Sequence, residues 1–214
     1  MKVLVTGGSG FLGKSISDYF AYKGHEILIF DKTEPQILLD NQTFMYGDLF
    51  DNEMLDQALI DIDIVFHFAA QADIDYSDEN PEYTLTNNIQ GTINLLEKAK
   101  HLKLKRFFFS SSVYVNSKYG SFYGVSKQCC EKIIEEYSRK YGLDFTILRY
   151  GSLYGPHANE FNSISNIIES ALSNKSIKRM GDGEELRDYV FIDDAAEMTY
   201  ETLADDYTNK HVLI

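Results

Sequence analysis

Tyr123 and Lys127 stand four positions apart, and three serines, Ser110, Ser111 and Ser112, close the apolar run Phe107-Phe-Phe109 upstream of them. On a helix, that Tyr-x-x-x-Lys spacing stacks both side chains on one face. An ammonium beside a phenol favours its ionised form; without such help, a phenol with a pKa near 10 is a poor base at neutral pH. An oxidised nicotinamide, also positive, assists the same ionisation. The serine run ends what reads as a strand, and open α/β sheets bind ligands at the carboxyl ends of their strands. A hydroxyl there can hydrogen-bond a reacting substrate oxygen while the phenol takes the proton. With 15 tyrosines in the chain, the pair gains its weight from its place after the serine run and from the glycine turn that opens the sequence.

That turn is Gly7-Gly-Ser-Gly10-Phe-Leu-Gly13, directly behind the strand-like Lys2-Val-Leu-Val-Thr6. Ser15 to Lys23, stopped by Gly24, reads as a helix, and Glu26 to Phe30 as a second strand that delivers Asp31. The unit is a dinucleotide-binding β-α-β. Gly7, Gly10 and Gly13 allow a tight turn, close approach of backbone N–H groups to a pyrophosphate, and contact of helix on strand, while the helix N-terminus supplies positive dipole. Asp31 follows at the distance where a carboxylate accepts hydrogen bonds from the adenosine ribose hydroxyls. A carboxylate there repels a 2'-phosphate, so NAD is expected over NADP, although Lys32 beside it works the other way.

Further strands are expected over Thr43 to Gly47, Ile64 to Phe68, Arg106 to Phe109, Asp144 to Arg149 and Lys210 to Ile214. Helices are expected over Asp51 to Leu59, Pro81 to His101, Tyr123 to Tyr141 and Ser163 to Ser173, with Pro81 suited to a first turn and Gly181-Asp-Gly183 the clearest late punctuation. The alternation implies an α/β fold, a Rossmann-type doubly wound parallel sheet. Residues 1–150 read as the NAD-binding domain and 151–214 as a partial, apparently truncated substrate-binding region interleaved with the end of that core. At 214 residues and 44% hydrophobic, the chain can bury a core without staples. A net charge of -13 argues against a nucleic-acid or anionic-membrane surface. Adjacent Cys129 and Cys130 are poor candidates for a structural disulfide. With no signal-like start and no long apolar run, a soluble cytoplasmic protein is expected. No metal site is expected.

The chain resembles the extended short-chain dehydrogenase/reductase family, and within it the nucleotide-sugar epimerase/dehydratase branch. The resemblance rests on Thr6-Gly-Gly-Ser-Gly-Phe-Leu-Gly13, Gly47-Asp48-Leu49, His67-Phe-Ala-Ala70, Asn87-Asn-Ile-Gln-Gly-Thr-Ile-Asn94 and Tyr123-Gly-Val-Ser-Lys127 with Glu131. Leu148-Arg-Tyr150, Tyr154-Gly-Pro156 and Arg187-Asp-Tyr-Val-Phe-Ile-Asp193 complete it. It implies that Phe11 and Leu12 join the glycines around the cofactor, that Asp48 and Leu49 contact adenine, and that Phe68, Ala69 and Ala70 line the pyrophosphate and nicotinamide side. Asn87 is implied to face the cofactor, whereas His67 reads as a satisfied strand histidine. The family's serine registers here in two ways: counting back from Val113-Tyr114 gives Ser110, which ranks first, and the last member of the run gives Ser112.

The activity implied is oxidation of a nucleotide-diphosphate sugar, commonly at C4, with Tyr123 as base, Lys127 lowering its pKa and a serine polarising the substrate oxygen. The acidic pair of the dehydratases is absent where Ser111, Ser112 and Val113 stand, which favours epimerase or simple oxidoreductase. Arg187 is the candidate for the substrate diphosphate, because a guanidinium gives forked, charge-assisted bonds to phosphate; a salt bridge with Asp188 or Glu184 is its competing use. Ser152 replaces the family's usual Asn, so a substrate contact is lost or water-bridged. The loop before Tyr123 is short, and relatives usually continue beyond the strand begun at Lys210; good NAD binding with weak turnover of common UDP-sugars is therefore expected. Relatives dimerise through the helices read here as Pro81 to His101 and Tyr123 to Tyr141, which implies a homodimer. Two other readings stay open: an NAD-binding interaction module without turnover, and a reductase of a small carbonyl compound.

Overall fold

The computed structural model describes residues 1–177, 184 and 186–214. Its first half winds β1 (Lys2–Thr6), α1 (Phe11–Tyr22), β2 (Glu26–Asp31), β3 (Gln42–Tyr46), α2 (Asn52–Ala58), β4 (Ile64–His67) and the short α3 (Ile74–Glu79). Then come α4 (Pro81–Leu85), α5 (Gly91–Ala99), β5 (Arg106–Ser112), α6 (Ser121–Tyr141), β6 (Phe145–Tyr150) and β7 (Ser152–Tyr154). The chain ends with α7 (Ser163–Asn174), β8 (Tyr189–Phe191), α8 (Ile192–Glu201) and β9 (Lys210–Leu213). Seven strands form one parallel sheet in the order β3-β2-β1-β4-β5-β6-β9, and β7 pairs with β8 in a small parallel sheet. The order reverses between β1 and β4, which opens a crevice at the strands' carboxyl ends.

The central strands are apolar almost without interruption because both faces are covered. On one face Leu4, Val65, Phe107 and Phe109 pack with Leu95, Leu96 and Ile134 of α5 and α6. On the other, Val3, Val5, Phe66 and Phe108 pack with Ile16 and Phe20 of α1 and with Ala195 and Ala196 of α8. β9 joins the main sheet beside β6.

Four differences from the sequence reading matter for the site. Helix α1 starts at Phe11, directly on the glycine turn. β5 runs on to Ser112, which puts all three serines in the strand with alternating directions. The helix expected over Pro81 to His101 is one rod interrupted by a wide π turn at Thr86–Gln90, the kind of distortion often found at functional sites. α3, β7, β8 and α8 escape the periodicity argument because each is short; α8 carries Asp193 and Asp194 in its first turn, the favourable end of the helix dipole. The Gly181-Asp-Gly183 punctuation lies outside the described residues.

Candidate active site

A cleft of about 840 Å³ runs across the carboxyl ends of β1, β2, β4 and β5. At one end the glycine turn meets the β4 loop. Gly7 has φ +71°, and a Cβ there would lie 2.5 Å from Ala69 N; at Gly13 it would lie 2.1 Å from Gly7 O. Only bare backbone fits. α1 carries no acidic residue in its first turn, so its N-terminal dipole faces the cleft uncompensated, as an anion site requires. These features fit a dinucleotide: Gly7, Gly10, Phe11, Leu12 and Gly13 line the cleft together with Asp31, Lys32, Asp48, Leu49, Phe68, Ala69, Ala70 and Asn87. Asp31 is held for its task, with one carboxylate oxygen accepting from Ser9 N and the other from Thr33 N, both at 3.0 Å. Lys32 is turned away from Asp31 and pairs with Asp48 at 2.8 Å.

Between that end and the catalytic helix lies a buried hydrogen-bonded chain whose direction can be deduced. Thr92 donates its hydroxyl to the Asn88 carbonyl at 2.6 Å, so it accepts from His67 Nε2 at 3.0 Å. His67 Nδ1 is then an acceptor, and the Thr6 hydroxyl donates to it at 2.7 Å. His67 is thereby fixed neutral, and burial pulls its pKa down to about 3. It is the satisfied strand histidine expected. Asn88, exposed to these partners by the π turn, also holds Gln71 N at 2.7 Å and donates to Ser126 on α6 at 2.9 Å. Ser126 in turn bonds the Tyr123 carbonyl at 2.8 Å.

Tyr123, Lys127, Ser110, Ser111 and Ser112 all reach the cleft. Burial pushes the Tyr123 phenol up to about 12, against a smaller lowering by the nearby Ser112 side chain. Lys127 is buried, directs its ammonium to the Ser110 carbonyl at 2.7 Å, and stands 5.8 Å from the Tyr123 ring centre. Burial lowers it to about 8. The protein groups alone therefore do not depress the phenol as the spacing argument had Lys127 doing, because the ammonium is tied to the backbone and both groups are desolvated. The two serine registers also separate: the Ser112 side chain lies near enough to lower the phenol, while the Ser110 carbonyl accepts from Lys127. The Ser111 hydroxyl donates to Glu131 at 2.5 Å, a carboxylate also clamped by Arg149 at 2.6 and 2.9 Å. Cys129 and Cys130 are free on α6, Cys130 buried against the Asn88 carbonyl at 3.4 Å.

At the far end, Tyr150, Gly151, Leu153 and the stretch Ala158 to Asn162 complete the cleft. Ser152 and Arg187 do not line it. Ser152 is held in β7, where its N–H donates to the Asp188 carbonyl at 2.8 Å, and Arg187 is exposed ahead of β8.

A model of the NAD-dependent epimerase/dehydratase family matches residues 3–214. The chain belongs to this family. Its cofactor is NAD, in agreement with the glycine cradle and Asp31. Among relatives, the UDP-glucuronate 4-epimerase of Thermodesulfobacterium geofontis is 30% identical over 94% of this chain and 71% of that protein. The dTDP-D-glucose 4,6-dehydratase of Dictyostelium discoideum is 30% identical over 90% of this chain and 53% of that protein. The UDP-glucuronic acid 4-epimerase of Bacillus cereus, solved with UDP-glucuronic acid and NAD, superposes with a TM-score of 0.87 at 28% identity, covering 100% of this chain and 77% of that one.

Of the residues that sequence reasoning missed, Asn88 acts through its neighbours, whereas Tyr114 and the stretch Ala158 to Asn162 line the cleft themselves. Asn88 was passed over beside Asn87, although two asparagines ahead of Gly91 inside a helical pattern are a sign of a disturbed turn. Tyr114 and the Ala158 to Asn162 stretch carry no spacing that distinguishes them from ordinary loop residues. Among the described residues no helix is long and apolar enough to cross a membrane.

Proposed function

We propose that this chain catalyses NAD-dependent oxidation at C4 of a nucleotide-diphosphate sugar and returns the product with inverted configuration, as a 4-epimerase. The observation that carries the reading is that Tyr123, Lys127 and Ser112 line the same cleft as the glycine turn and Asp31, with Lys127 Nζ 5.8 Å from the Tyr123 ring centre. Bound NAD would supply the oxidant, accepting a hydride from the sugar carbon and giving it back. Tyr123 takes the proton of the sugar hydroxyl, and Ser112 polarises the same oxygen, which makes Ser112 rather than Ser110 the working serine. Lys127 holds the β5 end through the Ser110 carbonyl and keeps positive charge near the phenol; a cationic nicotinamide beside Tyr123 adds the remaining push toward phenolate. Ser111, Ser112 and Val113 stand where a dehydratase carries its acidic pair, so epimerisation is favoured over elimination.

Arg187 would bind the substrate diphosphate by moving into the cleft from its exposed place, and Ser152 would reach the sugar through water. A homodimer through the α4–α5 rod and α6 is supported by exposed Tyr83, Phe122 and Val125 on those helices; sedimentation that gives a monomer at working concentration refutes it. The decisive experiment adds UDP-glucose to the NAD-loaded chain and follows UDP-galactose by chromatography. Formation by the wild type and its loss in Tyr123→Phe support the reading. Binding of NAD without any change of a panel of nucleotide sugars would leave an interaction module, and turnover of small carbonyls that is indifferent to Arg187→Ala would make the chain a small-carbonyl reductase.

A further inference from the structure

β2 and β3 run in register with Asp31 opposite Tyr46, so the residues that follow them, Lys32 and Asp48, emerge side by side at the carboxyl edge of the sheet. Asp48 is aimed. One of its oxygens accepts from Phe50 N at 3.0 Å, which leaves the other directed at Lys32 Nζ, 2.8 Å away. Partial burial works against ionisation of Asp48, yet these two hydrogen bonds hold its carboxyl below the usual range, and the same contact raises Lys32. At this end of the cleft Asp31, Lys32 and Asp48 are the charged lining residues, and Lys32 is the cation among them.

We propose that Asp48 sets cofactor selectivity by engaging Lys32, leaving Asp31 to face the adenosine ribose unopposed, so that the cleft takes a dinucleotide with a free 2'-hydroxyl and rejects its 2'-phosphate. The proposal rests on the NAD reading of the cleft. A lysine next to a ribose-binding aspartate would otherwise attract the phosphate, since an ammonium is a compact point charge on a flexible stem that can swing toward it. With the Asp48 carboxylate in place, the ammonium is partly neutralised, and a second negative charge stands near the incoming phosphate. Coulomb repulsion and the loss of the cation then act in the same direction. An ion pair this exposed adds little to folding, so its removal leaves the scaffold intact.

The test is calorimetric titration of the chain with NAD and with NADP. Asp48→Asn is expected to move the ratio of the two dissociation constants toward NADP by about fivefold or more, an effect of the size of one partly exposed charge contact. The gain must fall by about half or more in the Asp48→Asn/Lys32→Met double variant, which lacks the freed cation, and shrink as salt is raised. Lys32→Met alone is expected to move the ratio away from NADP, because it leaves the Asp48 carboxylate uncompensated beside the phosphate position. An unmoved ratio in Asp48→Asn, a gain undiminished in the double variant, or a Lys32→Met variant that moves toward NADP each overturns the proposal while leaving NAD binding in place. A wild type that binds neither dinucleotide overturns the NAD reading and the proposal with it.

Discussion

The glycine end of the cleft and α7 lie in the same chain and obey opposite rules. At the glycine end, backbone meets backbone so closely that one added methyl at Gly13 would sit 2.1 Å from the Gly7 carbonyl. In α7 no residue is buried, and Leu172 is 77% exposed. The helix exists through local chemistry: the Asn162 side chain caps Ser165 N at 3.1 Å, and Lys175 closes it in the left-handed region at φ +51°. The cofactor end is thus specified by tertiary contact and the α7 region by sequence-local signals. Mutational sensitivity should follow that division.

The largest effect belongs where the cleft's two ends cooperate. Tyr123→Phe removes the proton acceptor while leaving the ring in place, so kcat for a turned-over nucleotide sugar should fall by about 10²- to 10⁴-fold with the NAD dissociation constant little changed. Stopped-flow reduction of bound NAD reads the first quantity and titration the second; equal loss in both would make Tyr123 a structural residue. Next comes Gly13→Ala, which overpacks backbone against backbone. It should lower stability by about 1–3 kcal/mol and weaken NAD binding by roughly tenfold or more, since the turn must shift away from the pyrophosphate position. A variant that binds NAD as well as the wild type would show that the cradle adjusts more freely than its geometry implies.

His67 sharpens the comparison through pH. Its pKa is about 3 in the fold against 6.5 as the ordinary value, with burial the cause. Between those values the unfolded chain binds the proton and the folded chain does not, so stability rises with pH across this window and is lost on acidification through it. His25, also lowered by burial, acts with the same sign. Urea unfolding at pH 6.5 and 5.0 should show the loss, and His67→Gln should reduce its slope by about 1.4 kcal/mol per pH unit. Identical slopes would mean that the Thr6–His67–Thr92 chain accommodates a charged imidazole.

How much could be read in advance cuts across that divide. The β-α-β opening, Asp31, the serine run and the Tyr123/Lys127 pair were legible because glycine spacing, strand alternation and helical period are local patterns. The serine choice was not: Ser110 and Ser112 differ only in which atom each turns toward α6, and that depends on where β5 stops relative to the helix. Nor was the fate of the lysines. Spacing put Lys127 beside the phenol and Lys32 beside Asp31, but Lys127 found the Ser110 carbonyl and Lys32 found Asp48, both partners set by neighbouring strands rather than by the chain nearby. Arg187 and Ser152 were assigned by resemblance, and the small β7–β8 sheet that carries Ser152 came from segments too short for periodicity to register.

The smallest expected effect is in α7. A helix of twelve residues without a buried face lies near the length at which isolated helices are marginal in water, so its opening costs far less than global unfolding. Leu172→Ser should change global stability by less than about 0.5 kcal/mol, whereas Leu95→Ala, at a fully buried position of α5, should cost about 2–5 kcal/mol. Hydrogen exchange discriminates further: α7 amides should exchange by local opening at rates insensitive to mild denaturant, while those of α6 should follow the global transition. If α7 amides instead exchange as slowly as those of α6, the helix has a partner surface under solution conditions, and the contrast between a contact-built cofactor end and a locally built α7 no longer holds.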